Sequence, residues 1–338
     1  MNLMRSLKLS LFLCLTLVCM AAISACSASD STKELVPRGT AESTGTPAAA
    51  VELDNMGQKL HFSEAPKRAV TLNQHATEVM LALGLEKNMA GTAYLDDQIL
   101  PELQEAYNRV PVLAKTYPSK EIFAEAAPDF AYAGWKSAFT EKSLGTREEL
   151  AKQGVQTYVQ ESSNKAAPTL EDVYRDILNI GRIFRVEAKA NELVDGMKQR
   201  LKDIQDQIGT VGTPQKVFIY DNGEDKAFTA ANTYITSLIN MIGGKNIFDD
   251  IQKSWVEVSW EEVVSRSPDV IVIMDYGDTP VEKKKELLLG KRELADIPAI
   301  KNKRLLVLPL SAASEGIRAP IALQTLAEGL YPDKVHKK

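Results

Sequence analysis

The sequence predicts an α/β protein: two Rossmann-like lobes joined by a long rigid helix, with a ligand cleft between the lobes. Three observations carry this. Short apolar runs alternate with helical stretches in both halves of the chain, the signature of parallel sheets covered by helices. A helix–Pro-Asp–strand unit occurs once in each half, at Pro128-Asp129 and Pro268-Asp269. Between the halves, residues 169–208 form a helical pattern without a single proline.

The elements follow in order. Residues 51–62 alternate and turn at Asn55, Met56 and Gly57, which reads as a hairpin. Residues 69–72 and 89–93 are short buried strands, separated by a helix over 76–83 that Gly84 closes. After Pro128-Asp129 comes a strand over 130–133, then a helix over 146–153 stopped by Gly154, then a strand over 157–159. Proline ends the preceding helix and aspartate turns the chain into the strand. The second half repeats the scheme. Strands are expected over 216–220, 270–274 and 305–308, and helices over 234–242, 258–265 and 322–330. In the connector, Thr169 can cap a helix with Asp172 three residues on. Gly181 and the pair Val186-Glu187 are its places to bend. Residues 187–208 alone would make a helix about 33 Å long at ~1.5 Å per residue. The division expected is residues 51–168 for the first lobe, 169–208 for the connector and 209–338 for the second lobe.

The N-terminus reads as an export signal. Arg5 and Lys8 precede an apolar run over 9–23, about 15 residues and too short to cross a ~30 Å hydrocarbon core comfortably. It ends in Ile23-Ser24-Ala25-Cys26, which resembles a bacterial lipobox. That resemblance implies cleavage after residue 25, a lipid on Cys26, and a location on the extracytoplasmic face of the cell membrane. Residues 26–50 are rich in Ser, Thr, Ala, Gly and Pro and read as a flexible tether. Of three cysteines, Cys14 and Cys19 fall in the segment to be removed, so the body has no disulfide and relies on its core. Losing Arg5 and Lys8 takes the net charge from −5 to −7, and no basic block exists, which excludes nucleic acid as a partner. No nucleophile-elbow, zinc-protease, dinucleotide or P-loop motif is present, so no enzyme is expected. His61, His75 and His336 are too few and too scattered for a transition-metal site.

The chain from about Val51 to Asp333 resembles the helical-backbone class of substrate-binding lipoproteins of ABC importers for iron-siderophores, cobalamin and haem. The resemblance rests on Ala65-Pro66-Lys67-Arg68-Ala69-Val70-Thr71-Leu72, Thr77-Glu78-Val79-Met80-Leu81-Ala82-Leu83-Gly84, Gly91 and Pro128-Asp129. It continues through Gly243-Gly244-Lys245-Asn246-Ile247-Phe248, Val258-Ser259-Trp260-Glu261-Glu262-Val263, Pro268-Asp269-Val270-Ile271, Gly316-Ile317-Arg318 and Tyr331-Pro332-Asp333. It implies a monomer that carries a small-molecule chelate to an ABC permease dimer and its ATPase, with no intrinsic cofactor. One acidic residue per lobe would dock on the permease. Glu261 fits on the second lobe and Glu148 on the first, with Glu141 and Glu149 as alternatives.

Ligands of such sheets sit beyond the strand C-termini. Asn73, His75, Tyr94, Trp135, Lys136 and Asp221 follow strands, while Trp255 and Arg318 are expected in loops beside the cleft. Aromatic rings offer flat apolar contact and Arg318 could pair with an anionic chelate. A ferric siderophore is the expected cargo, with cobalamin or haem as alternatives. The scarcity of cleft arginines favours a hydroxamate or a corrinoid over a triscatecholate. A surface lipoprotein of purely structural role would instead have no cleft.

Overall fold

A computed structural model of the chain describes residues 49–335. The segments expected to be an export signal and tether, with Cys26 and His336, lie outside the described residues.

Strands β1 (Val51–Asn55) and β2 (Gln58–Phe62) form the expected hairpin, Val51 opposite Phe62. Met56 and Gly57 have φ of 53° and 82°, the left-handed pair that a two-residue turn between twisted strands requires. The buried Asn55 fastens the hairpin to the first lobe. Its carboxamide brackets the backbone of Val159 at 2.8 Å on both sides, and Arg147 holds its carbonyl at 2.8 Å.

The first lobe is a parallel sheet of β3 (Ala69–Leu72), β4 (Met89–Ala93), β5 (Val112–Ala114), β6 (Phe130–Ala133) and β7 (Gln156–Val159), in the order β5-β4-β3-β6-β7. The second lobe has β8 (Gln215–Tyr220), β9 (Ala227–Ala230), β10 (Gly244–Asn246), β11 (Trp255–Val258), β12 (Val270–Asp275) and β13 (Leu305–Pro309). Four of these make a parallel sheet, β10-β8-β12-β13, while β9 and β11 pair antiparallel beside it. Every residue of β3 and β6 is buried, which is why these strands read as continuous apolar runs. The edge strand β5 and the short β9 to β11 carry no such run and are absent from the sequence reading.

The Pro-Asp repeat has one structural meaning in both lobes. The Asp129 carboxylate accepts the N–H groups of Lys67 and Arg68 at 2.8 and 2.9 Å, just before β3. The Asp269 carboxylate accepts the N–H of Lys216 at 2.8 Å, at the start of β8. Each aspartate therefore ties the entry of its own strand to the neighbouring central strand. The order β4-β3-β6-β7 in one lobe matches β10-β8-β12-β13 in the other.

The connector is two helices, Leu170–Ile183 and Glu187–Ile208, instead of one bent rod. The break falls at Arg185, with φ of 59°, one residue short of the expected Val186-Glu187. Gly181 matters differently: a Cβ there would lie 2.4 Å from Ala190, so its smallness lets the second helix pack on the first. The longer helix leaves the first lobe, where Arg185 donates to the Phe62 carbonyl at 3.0 Å, and reaches the second, where Gln205 donates to the Met241 carbonyl at 2.9 Å. Its buried Val194, Met197, Ile204 and Ile208 belong to an apolar core that includes Phe130 and Tyr132 of the first lobe and Val217 and Val270 of the second. No helix of the described residues is long and apolar enough to cross a membrane.

The shorter helix opens with the Thr169–Asp172 capping box read from the sequence. Burial raises the Asp172 carboxyl, but Lys165 at 2.9 Å and the Thr169 N–H and hydroxyl at 2.8 and 2.7 Å outweigh it and hold the group near 2. A carboxyl depressed below its ordinary 3.8 adds stability that is complete above that value and disappears as pH falls through about 2. Asp172→Asn should therefore unfold with about 1–2 kcal/mol less free energy at pH 7. In urea titrations across pH 2–7 the deficit should close only below about pH 4.

Candidate functional site

The C-terminal ends of the two parallel sheets face one another, and a pocket of about 190 Å³ lies between them. The first lobe contributes Trp135 after β6 and Ser163, Lys165 and Pro168 after β7. From the second come Thr233, Tyr234 and Ile235 after β9, Ser254 and Trp255 at β11, and residues 310 and 313–315 after β13. Trp135 and Trp255 thus both line the pocket, one from each lobe. Trp255 is the first residue of β11 instead of a loop residue, stacked on Phe228 at 5.7 Å and 17°.

The polar lining is mostly hydroxyl. Thr233 Oγ1 and the Tyr234 hydroxyl are buried and make no hydrogen bond within the protein. Lys165 is paired with Asp172, so its charge is already answered. Glu315 has its carboxyl pushed up to about 7 by burial, against weaker opposing hydrogen bonds from its own backbone N–H and the Ser163 hydroxyl.

The remaining candidates sit behind or beside this pocket. His75 is 3% exposed, edge-on to Trp135 at 5.0 Å, with Nε2 3.3 Å from the Ser163 hydroxyl. Burial lowers it to about 4, so the ring is neutral. A Cβ on Gly134 would lie 2.1 Å from its Nε2 and one on Gly316 3.0 Å from its Cβ, so a glycine from each lobe closes on it. Asn73, with φ of 80°, is wholly buried, and its Oδ1 takes the Trp135 N–H and the Tyr117 hydroxyl, each at 3.3 Å. It positions the tryptophan. Tyr94 packs edge-on to Tyr117 at 4.7 Å and to Trp135 at 6.5 Å, outside the pocket lining. Lys136 is exposed and its backbone N–H bonds Asn164. Asp221 is buried beneath Tyr276, whose hydroxyl donates to it at 2.8 Å.

Arg318 departs from its expected role. It does not line the pocket; its guanidinium grips Glu78 and also donates to the Ser311 hydroxyl and the Gln98 carbonyl. With these bonds made, it has little left to offer an anionic ligand.

The two acids expected to dock also separate. Glu261 is exposed in the first turn of the helix Trp260–Arg266, capped by Ser259 at 3.2 Å, immediately before β12. Glu148 is exposed too, but its helix Arg147–Lys152 follows β6 instead of preceding it. The topological counterpart of Glu261 is Glu121, on the helix Lys120–Glu125 ahead of β6, capped by Ser119 at 3.3 Å. Glu121 and Glu261 each stand seven positions before the Pro of the repeat. That spacing is the signal in the sequence, and it makes Glu121, not Glu148, the first-lobe residue equivalent in position to Glu261. The Ser119 hydroxyl holds the Glu121 carboxyl below its ordinary range.

Two α/β lobes closing on an apolar, hydroxyl-bearing pocket define a small-molecule binding protein. The chain belongs to the periplasmic binding protein family, whose pattern matches residues 70–312. It is 27% identical over 284 residues to the uncharacterized ABC transporter substrate-binding lipoprotein YvrC of Bacillus subtilis (strain 168), covering 83% of this chain and 85% of that one. It is 26% identical over 211 residues to the vitamin B12-binding protein of Photorhabdus laumondii, covering 62% and 71%. A periplasmic binding protein from Veillonella parvula superposes with a TM-score of 0.78 at 34% identity, covering 85% of this chain and 99% of that one. The protein is a substrate-binding component of an ABC transporter, and such components carry no enzymatic activity.

Glu315 supplies a pH test of the pocket. Its folded pKa stands above the ordinary 4.5, so ionising it costs stability as pH rises from there through about 7. Glu315→Gln removes that cost. In urea unfolding it should match the wild type near pH 4.5 and exceed it increasingly up to about pH 8. A constant difference across that range would refute the assignment.

Proposed function

We propose that this protein is the lipid-anchored, extracytoplasmic component of an importer whose cargo is a corrinoid. The carrying observation is the pocket lining: two tryptophans from opposite lobes, two unbonded hydroxyls, and no cation without a carboxylate partner among the described lining residues. Flat rings contribute area against a macrocycle, and buried hydroxyls reward a ligand rich in neutral amides. A triscatecholate, or the propionates of a haem, would bring negative charge to a pocket that cannot neutralise it. Likeness to vitamin B12-binding proteins supports the same choice. The pocket is smaller than the ~300–1,000 Å³ of typical small-molecule sites, so a corrinoid would also cover the open mouth of the cleft. The ferric siderophore expected from the sequence survives as a second reading in its neutral form, a ferric hydroxamate, which the same uncharged lining accepts.

Calorimetric titration with cyanocobalamin, a ferric trihydroxamate, a ferric tricatecholate and haem separates these. Cyanocobalamin should bind with Kd of about 1 μM or tighter, and Trp135→Ala should weaken it on the order of tenfold, a loss of ~1.4 kcal/mol. Tight binding of the trihydroxamate alone would move the assignment to the second reading. Binding of none would sink both.

For delivery, the lipobox at Cys26 and the likeness to a lipoprotein support anchoring at the membrane. Glu121 and Glu261, exposed at equivalent places on the two lobes, would meet basic pockets on the permease. Rim charges steer and orient encounter more than they add affinity. Glu121→Ala and Glu261→Ala should each lower stimulation of the transporter ATPase while leaving cyanocobalamin affinity unchanged. Glu148→Ala should leave both the stimulation and the affinity unchanged. The reverse pattern would restore Glu148.

A further inference from the structure

Arg318 and Glu78 belong to different lobes. Glu78 lies on the helix Gln74–Ala82 that follows β3, and Arg318 stands at the start of the last helix, Ala319–Leu330. Their pairing is close: Nε donates to Oε2 at 2.8 Å and Nη2 to Oε1, with side-chain exposures of 10% and 1%. Glu78 also accepts the Leu100 N–H at 3.2 Å. The third nitrogen, Nη1, donates to the Ser311 hydroxyl at 3.0 Å, and that hydroxyl donates to Asp97 at 2.7 Å. Asp97 and Gln98 belong to the loop after β4, which Gln74 straps to its own helix by accepting the Asp96 and Asp97 N–H groups at 3.1 and 2.8 Å. One guanidinium and one hydroxyl of the second lobe thus engage two acids and a carbonyl of the first.

The position of this network is as informative as its bonds. In the first lobe it uses only groups that follow β3 and β4. The pocket uses groups that follow β6 and β7. The β3–β4 flank of the cleft is therefore closed by an ion pair, with Asn73 and Tyr94 on that side, while the β6–β7 flank, where Gln160 donates to the Glu315 carbonyl, holds the pocket.

We propose that Arg318 and Glu78 are positioning residues: a latch that holds the lobes together along the β3–β4 flank and confines the ligand to the β6–β7 flank. Neither touches the ligand. They set how much of the cleft is open. A guanidinium fork on a carboxylate suits this because its two parallel bonds fix direction as well as distance. Burial makes the pair all-or-none, since either group left alone would be an uncompensated charge.

The test reads lobe separation directly and requires no ligand. Cys14, Cys19 and Cys26 are the chain's only cysteines. With these replaced by serine, nitroxide labels can be placed at Glu102→Cys and Ile321→Cys, exposed positions on either side of the latch. Glu78→Gln with Arg318→Met removes both charges together and leaves no buried ion unpaired. The double variant should show a longer mean distance between labels and a wider distribution. Ser311→Ala, which takes away only the bridging hydroxyl, should move the distribution the same way by less. Circular dichroism and thermal melts establish that each variant is folded. An unchanged distance distribution in either folded variant overturns the latch. The outcome is independent of the identity of the cargo.

Discussion

The constraint on which the molecule depends is that its two sheets do not own separate interiors. One apolar core passes from Phe130 and Tyr132, through Val194, Met197, Ile204 and Ile208 of the connector, to Val217, Val270 and Leu308. Each sheet has a second apolar layer on its outer face, built around Phe123 and Leu150 in one lobe and Phe218 and Trp260 in the other. Those outer layers could stabilise a lobe on its own. The inner one cannot be divided without exposing the apolar stripe of the connector to water, at roughly 25 cal/mol per Å² uncovered. Wide parting of the lobes is therefore opposed by the same term that folds them. Adjustment of the cleft must come from small changes at its floor and flanks.

Duplication explains where the chemistry sits. Both lobes place a capped helix, a Pro-Asp turn and a central strand in the same order, and the aspartate in each fixes the entry of that strand. A helix that precedes a parallel strand has its N-terminus on the side of the sheet where the strand ends. Glu121 and Glu261 stand in the first turns of such helices, so the topology puts both acids on the cleft side of the protein. There the helix dipole favours a negative charge. Glu148 lies in the first turn of its own helix, but that helix corresponds to Val281–Gly290 in the second lobe, so Glu148 is matched by Glu282 and not by Glu261.

Legibility of the fold followed the strength of the periodic signal. Buried strands such as β3 and β6, and the helix Glu187–Ile208, were readable to within a residue or two because burial on every side, or on one long stripe, dictates composition. The strand β5 is three residues with Val112 largely exposed, and β10 reads Gly-Lys-Asn; neither has a composition that distinguishes it from a loop. The sequence around Trp255 reads as a loop because β9 and β11 are four residues each and gain their order only from pairing with one another. The site was less legible than the fold. The rule that ligands lie beyond strand ends points to Trp135, which lines the pocket. It could not say that Asn73 and Tyr94, which also follow strands, stand on a flank that is shut. It could not find Thr233, Tyr234 or Glu315 either, because their lining role depends on which loops meet across the cleft.

Arg318 shows why an arginine in a loop beside a cleft is an ambiguous signal. A guanidinium serves an anionic ligand only if no internal carboxylate reaches it first, and that is a question of long-range geometry: Glu78 is 240 positions away in the chain. Here the carboxylate arrives from the other lobe, so the pair joins lobes instead of reading cargo. The consequence for the pocket is electrostatic. With Arg318 held by Glu78 and Lys165 held by Asp172, the described lining of the pocket presents aromatic faces and hydroxyls but no unanswered positive charge. The ligand's charge must then be carried within the ligand itself, as it is when a metal ion is enclosed by donors that neutralise it. That lining is what carries the proposal of a cargo that arrives already neutral.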